Sequence, residues 1–267
     1  MVTRRVAGHA SLALAFVLLA LGACGIVVEG ELRGRPLNVD TDPARVIVVI
    51  WNHGFSPEAA GTYRPEAPAI IERLVERNRD VVLFKQLRNA AWLGELDHGA
   101  YVDAAIASLV ATQHVPVENI ILSGQSCGAW GSLQTAALRY PNVGGVIAFA
   151  PTCHGKLPHP GWLRTRRAEE IDAFSHRLRA PGTLFVYEGD SFYSPDDWSS
   201  FASSPEAVRA GLQVERLDRD RVLAVCAACA SDSHSAVWGE GFADAYYESH
   251  LQPLIERVRA RIAHRAD

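Results

Sequence analysis

The chain is predicted to fold as an α/β protein, with a mostly parallel central sheet and helices on both faces. Three observations predict this. Short, continuous, β-branched runs recur along the sequence, and such runs mark strands buried on both faces. Between them lie segments whose apolar residues repeat at helical spacing, and that alternation implies parallel strands joined by helical crossovers. With 267 residues, 48% of them hydrophobic and 21% charged, the chain has the balance of a globular protein with a sizeable core.

Residues 1–23 stand apart from that pattern. Arg4 and Arg5 form a positive stretch, Ala10 to Leu21 is apolar, and Gly22-Ala23 are small, the layout of an export signal. Leu21-Gly22-Ala23-Cys24 resembles a bacterial lipobox, which implies that Cys24 is lipidated and anchors the mature chain to a membrane. A plain secretory signal and an uncleaved anchor are the alternatives, although the apolar run is short for a span and Glu29 ends it. The expectation is a signal peptide over 1–23 and one domain over 24–267, exported to the periplasm or cell surface, where disulfides persist.

The elements follow in order. Gly25 to Arg35 is read as an edge strand, and Arg45 to Ile50 as a strand buried on both faces. Pro68 to Asn78 places Ile70, Ile71, Leu74 and Val75 on one helical face. Val81 to Phe84 is the next strand, and Asp97 to His114 a helix carrying Val102, Ile106, Leu109 and Val110. Ile120 to Ser123 is a strand, Ala129 to Tyr140 a helix, and Val143 to Ala150 a further buried strand. Pro151 to Ala180 breaks the rhythm with three prolines and a short helix around Ile171, Phe174 and Leu178, so it reads as a cap-like insertion over the active face. Thr183 to Tyr187 is a strand; Pro205 to Leu217 reads as helical, with Leu212 to Leu217 a possible strand. Arg221 to Val225 is expected as the last strand, and Gly241 onward as helix, interrupted or restarted at Pro253.

The chemistry centres on Gly124-Gln125-Ser126-Cys127-Gly128, set between a strand and a helix. That setting makes a nucleophile elbow, in which a strained turn exposes the Ser hydroxyl above the sheet. Small residues two before and two after let strand and helix approach. His53, Ser126, Asp190 and His234 each follow an expected strand, which gathers them at the carboxyl edge where open α/β sheets bind ligands.

On these residues the chain resembles the α/β-hydrolase superfamily, and within it the dienelactone-hydrolase-like and prolyl-oligopeptidase-like esterases. Their triad runs Ser, acid, His along the chain. The resemblance covers about residues 45 to 250 in strand–helix rhythm, and the elbow is its specific motif. It implies Ser126 as nucleophile, Asp190 as acid and His234 as the base that takes and returns the Ser proton. Glu188, Asp196 and Asp197 compete as acid; Asp190 is the first carboxylate after the turn that Gly189 permits. His53-Gly54-Phe55 matches the oxyanion loop, so the backbone N–H groups of Phe55 and Cys127 are the expected oxyanion donors. Dienelactone hydrolases in the strict sense carry Cys as nucleophile, whereas here Ser126 is followed by Cys127, which separates this chain from that substrate. His53, Tyr193 and Trp198 are the candidate substrate-binding residues, with Trp162 and Phe192 as further pocket aromatics.

Cys226-Ala227-Ala228-Cys229 has redox-motif spacing, but it does not open a helix of a thioredoxin-like unit. Cys127, Cys153, Cys226 and Cys229 are read as disulfide-bonded or buried thiols, with connectivity open, and no metal site is expected. A net charge of −4 leaves no basic footprint for nucleic acid. The sequence thus points to a serine esterase acting on a small-molecule ester through an acyl-enzyme, with no metal or organic cofactor. A peptidase or acyltransferase of the same fold, a non-catalytic binding lipoprotein and a thiol-redox protein are the competing classes.

Overall fold

The β-branched run at Ile47–Asn52 lies inside a seven-stranded sheet. The computed structural model describes residues 30–34, 37, 40–55, 62–63, 66–86, 88–89 and 98–266. The expected signal peptide and Cys24 lie outside the described residues.

The sheet strands are β1 (Gly30–Arg33), β2 (Ile47–Asn52), β3 (Val81–Gln86), β4 (Ile120–Gln125), β5 (Gly145–Phe149), β6 (Gly182–Tyr187) and β7 (Leu212–Leu217). Their spatial order is β1-β3-β2-β4-β5-β6-β7. Only β1 runs antiparallel, on the edge; every other neighbouring pair is parallel, with Val48 opposite Ile120 and Gly124 opposite Ala148 setting the central register. β2 to β6 are buried along their whole length, which is why they read as unbroken apolar runs.

The crossover helices are α1 (Ala69–Arg77), α2 (Ala100–Gln113), α3 (Cys127–Leu138), α4 (Gly161–Arg177) and α5 (Pro205–Ala210). The chain steps one way from β2 to β3 and the other way thereafter, so right-handed crossovers put α1 on one face and α2 to α4 on the other. Accordingly α2 packs on α3 and α3 on α4, while α1 packs against the C-terminal helical segment. Under the sheet edge the core is aromatic: Phe149 stacks on Phe185 at 5.2 Å, and Phe242 meets both edge-on.

Three expectations change. Arg221 to Val225 is not a strand: Arg219–Val225 forms helix α6, capped by Asp218, whose side chain accepts from the Arg221 N–H. Val222 and Val225, three apart, are its buried residues, a helical spacing hidden inside a short apolar run. β7 is therefore the last strand, the alternative reading of residues 212–217. The helix expected to be short after Pro151 is the 17-residue α4, the ordinary crossover from β5 to β6; the loop before it, not the helix alone, reaches over the sheet edge. The C-terminal segment does restart near Pro253. A wide π turn, Tyr247–Leu251, precedes α7 (Gln252–Ala266), where the proline lacks the N–H that an uninterrupted helix requires.

Candidate active site

Ser126 sits between β4 and α3 with φ +57° and ψ −124°, a backbone region that costs a non-glycine residue about 1–3 kcal/mol. The surroundings hold it there. Its N–H donates to the Phe149 carbonyl at 3.0 Å, and its carbonyl accepts from the Trp130 N–H at 3.0 Å. The flanking glycines are required by contact, not only by conformation. A Cβ on Gly124 would lie 2.5 Å from the Gly128 carbonyl carbon, and one on Gly128 would lie 1.9 Å from the Asn52 oxygen.

His234 Nε2 is 2.9 Å from Ser126 Oγ, and His234 Nδ1 is 2.7 Å from Asp190 Oδ2. The side chain of Asp190 is fully buried, and its other oxygen accepts from the Phe192 N–H at 2.8 Å. A buried carboxylate on one ring nitrogen makes that nitrogen the donor, which leaves the other facing Ser126 as acceptor. The rival carboxylates are committed elsewhere: Glu188 accepts from the Arg219 N–H, Asp196 pairs with Arg216, and Asp197 pairs with Arg167.

His234 does not follow a strand directly. It lies in a 3-10 turn, Ser233–Trp238, after α6, and side-chain bonds dock that turn on the acid loop. Asp232 does most of this. One of its oxygens accepts from the Ser191 and His234 N–H groups at 3.1 and 3.0 Å, and the other from the Ser191 hydroxyl at 2.5 Å. Burial pushes the Asp232 carboxyl up, but the bonds from Ser191 and His234 outweigh it and hold it below the usual range. Ser233 Oγ donates to the Glu188 carbonyl at 2.7 Å, and Gln125 Nε2 donates to the His234 carbonyl at 3.1 Å. Sequence reasoning missed Asp232, Ser191 and Gln125. The signal for Asp232 was present, since an Asp two residues before His234 is the spacing of an Asx turn.

A cavity of about 650 Å³ opens over Ser126 and His234. One wall is apolar, from Phe55, Leu163 and Phe192, whose ring lies 4.2 Å from that of His234. The other is polar. Arg166 pairs with Glu170 at 2.9 Å, and His154 Nε2 stands 3.3 Å from the same carboxylate. Burial pushes the His154 pKa down, against the pull of Glu170. For Glu170 burial acts upward, but His154 and Arg166 bring the carboxyl below its ordinary value.

Phe55 and Cys127 line this cavity beside Ser126. Cys127 is the first residue of α3, where the backbone N–H has no carbonyl partner within the helix. The three substrate-binding candidates do not line the cavity. His53 is buried and donates from Nδ1 to the Gly54 carbonyl at 2.6 Å, so it shapes the turn. Tyr193 and Trp198 are core residues: with Trp130 they surround the buried guanidinium of Arg167, at 4.9–5.8 Å from its central carbon. Arg167 also bonds Asp197 at 3.1 Å and Thr152 at 3.1 Å. Burial lowers the Arg167 pKa, against Asp197, and pushes the Tyr193 phenol well above its ordinary value. Trp162 is exposed and also stands outside the cavity lining, so Phe192 alone of the four expected aromatics faces it.

Among the described residues the cysteines form two disulfides, Cys127–Cys153 and Cys226–Cys229. The first lies in the cavity wall, next to Ser126. Among the described residues no group of three or more His, Cys, Asp or Glu is arranged to hold a metal ion.

The sheet order, the elbow and the site at the strand ends define the α/β-hydrolase fold. One solved structure agrees. The chain is similar to a thermophilic esterase, Est2, from the planctomycete Thermogutta terrifontis, in its butyrate-bound form: 17% identity, 88% of each chain covered, TM-score 0.51. It is also similar to Est1E from Butyrivibrio proteoclasticus, in a structure with ferulic acid bound: 13% identity, 91% of this chain and 98% of that one covered, TM-score 0.49. No family profile matches the chain, and no curated protein is detectably similar to it.

Proposed function

We propose that the chain is a serine hydrolase that cleaves carboxylic esters through an acyl-enzyme on Ser126. The observation that carries this reading is the unbroken hydrogen-bonded line from Ser126 Oγ through His234 to Asp190, at 2.9 and 2.7 Å. His234 Nε2 takes the Ser126 proton as Oγ attacks the ester carbonyl, and Asp190 stabilises the imidazolium. The N–H of Cys127 at the start of α3, with that of Phe55, receives the developing oxyanion. His234 then protonates the leaving alcohol, and water repeats the sequence to release the acid.

A cavity of about 650 Å³ with one apolar wall suits a small ester, and the butyrate held by the Thermogutta esterase is consistent with a short acyl group. The lipobox-like Leu21-Gly22-Ala23-Cys24 further supports export and anchoring through a lipidated Cys24. The full chain is assayed on nitrophenyl esters of increasing acyl length. Turnover of the short esters is expected. No turnover across the series by folded protein would leave a non-catalytic binder. Anchoring predicts partition into detergent that Cys24→Ala abolishes; residues 1–23 found intact on the mature protein would refute it.

A further inference from the structure

We propose that the Cys127–Cys153 disulfide is a thiol-exchange site, where a low-molecular-weight thiol attaches to Cys153 and closes the cavity over Ser126. The consequence for turnover rests on the hydrolase reading; the exchange chemistry does not.

Both cysteines line the cavity, so a small thiol entering it meets the disulfide before anything else redox-active. The two sulfurs are not equivalent. Cys127 is 5% exposed at the start of α3, whereas Cys153 is only partly buried, on the loop after β5. Access therefore favours attack at Cys153. The leaving group favours it too: Cys127 would depart as a thiolate at the N-terminus of a 12-residue helix, a position that stabilises thiolates and speeds their departure. His98 Nδ1 stands 3.4 Å from Cys153 Sγ and lines the same cavity, placed to take the proton of the incoming thiol.

The step balances. The thiolate sulfur bonds to Cys153 Sγ, the bond between Cys153 and Cys127 breaks, and its electron pair leaves on Cys127. The product is a mixed disulfide at Cys153 and a thiolate at Cys127. A second thiolate then bonds to the adduct sulfur, the bond between that sulfur and Cys153 Sγ breaks with its electron pair on Cys153, and the two small thiols leave as their disulfide, so they are oxidised and both cysteines end reduced. The adduct fills the space over Ser126, and the Cys127 thiolate places negative charge beside the position where the oxyanion develops. Losing one oxyanion donor costs about 10²–10³ in kcat, so turnover should fall at least about a hundred-fold.

Cys226–Cys229 is the internal comparison. It spans one turn, both its cysteines are buried, and the separate cavity that Cys226 lines contains no histidine.

The test treats the native full chain with free cysteine in a cysteine/cystine buffer. Acid quenching, alkylation with iodoacetamide and peptide mass spectrometry follow. The expected result is cysteinylated Cys153, alkylated Cys127 and an intact Cys226–Cys229 disulfide, with ester turnover falling as the adduct accumulates. His98→Asn should slow adduct formation by at least about ten-fold without moving its position. An adduct on Cys127, or opening of Cys226–Cys229 first, overturns the assignment. So does stoichiometric adduct on Cys153 with unchanged labelling of Ser126 by a small fluorophosphonate. Absence of turnover in untreated protein sinks the hydrolase reading instead, and the masses alone then decide the exchange.

Discussion

Gly128→Ala tests whether the elbow geometry is what the site depends on. A Cβ there would lie 1.9 Å from the Asn52 oxygen and 2.5 Å from the Asn52 carbon and the His53 oxygen, where ordinary contact begins at 3.4 Å. All three atoms are backbone at the end of β2, so no rotamer change relieves the clash. The start of α3 must move away by about 1.5 Å, carrying the Cys127 N–H and the Ser126 turn with it. A displacement of about 1 Å in a reacting geometry costs on the order of a hundred-fold, and overpacking of a tight core costs about 1–3 kcal/mol. The variant should therefore lose at least about a hundred-fold in kcat/KM on nitrophenyl butyrate and about 2–10 °C in Tm. Gly161→Ala is the control, because a Cβ there meets nothing nearer than the Arg164 Nη2 at 3.9 Å. It should stay within about 0.5 kcal/mol of wild type. Gly128→Ala with more than a tenth of wild-type kcat/KM would refute the reasoning.

Asp190→Asn should lower kcat by about four orders of magnitude at neutral pH, while Glu188→Gln stays within a few-fold; the reverse result would move the acid by two positions. Stability should fall on acidification. The Arg259 guanidinium, bonding both oxygens of Asp80 at 2.7 and 2.8 Å, holds that carboxyl below its usual range against the effect of burial. A depressed folded pKa adds stability that is present above the unfolded value of about 3.9 and is lost as pH falls through the folded one. Urea midpoints should accordingly drop between about pH 5 and pH 2, and drop less steeply in Asp80→Asn; equal slopes in the two proteins would contradict this.

The central sheet was legible because strands buried on both faces leave unbroken runs such as Val48-Val49-Ile50 and Ile120-Ile121-Leu122. The elbow was legible because its steric demands fall on one short segment. Arg221 to Val225 misled because a four-residue apolar run fits either period, and the Asp218 cap that decides for helix lies before it. Tyr193 and Trp198 misled for another reason: a sequence shows that aromatics cluster near a site but not which side of the loop they occupy. Here a buried Arg167 draws them into the core. The meeting of His234 with Asp190 depends on long-range docking through Asp232 and Ser191, 41 residues apart, which no local pattern encodes.

The most direct measurement is the site of covalent capture by a fluorophosphonate. The wild-type full chain, treated at neutral pH and digested, should carry one adduct on the peptide containing Ser126, with ester turnover lost in proportion. Ser126→Ala, equally folded by circular dichroism, should carry none. A folded wild-type protein that stays unlabelled, or an adduct on any serine other than Ser126, would contradict the account.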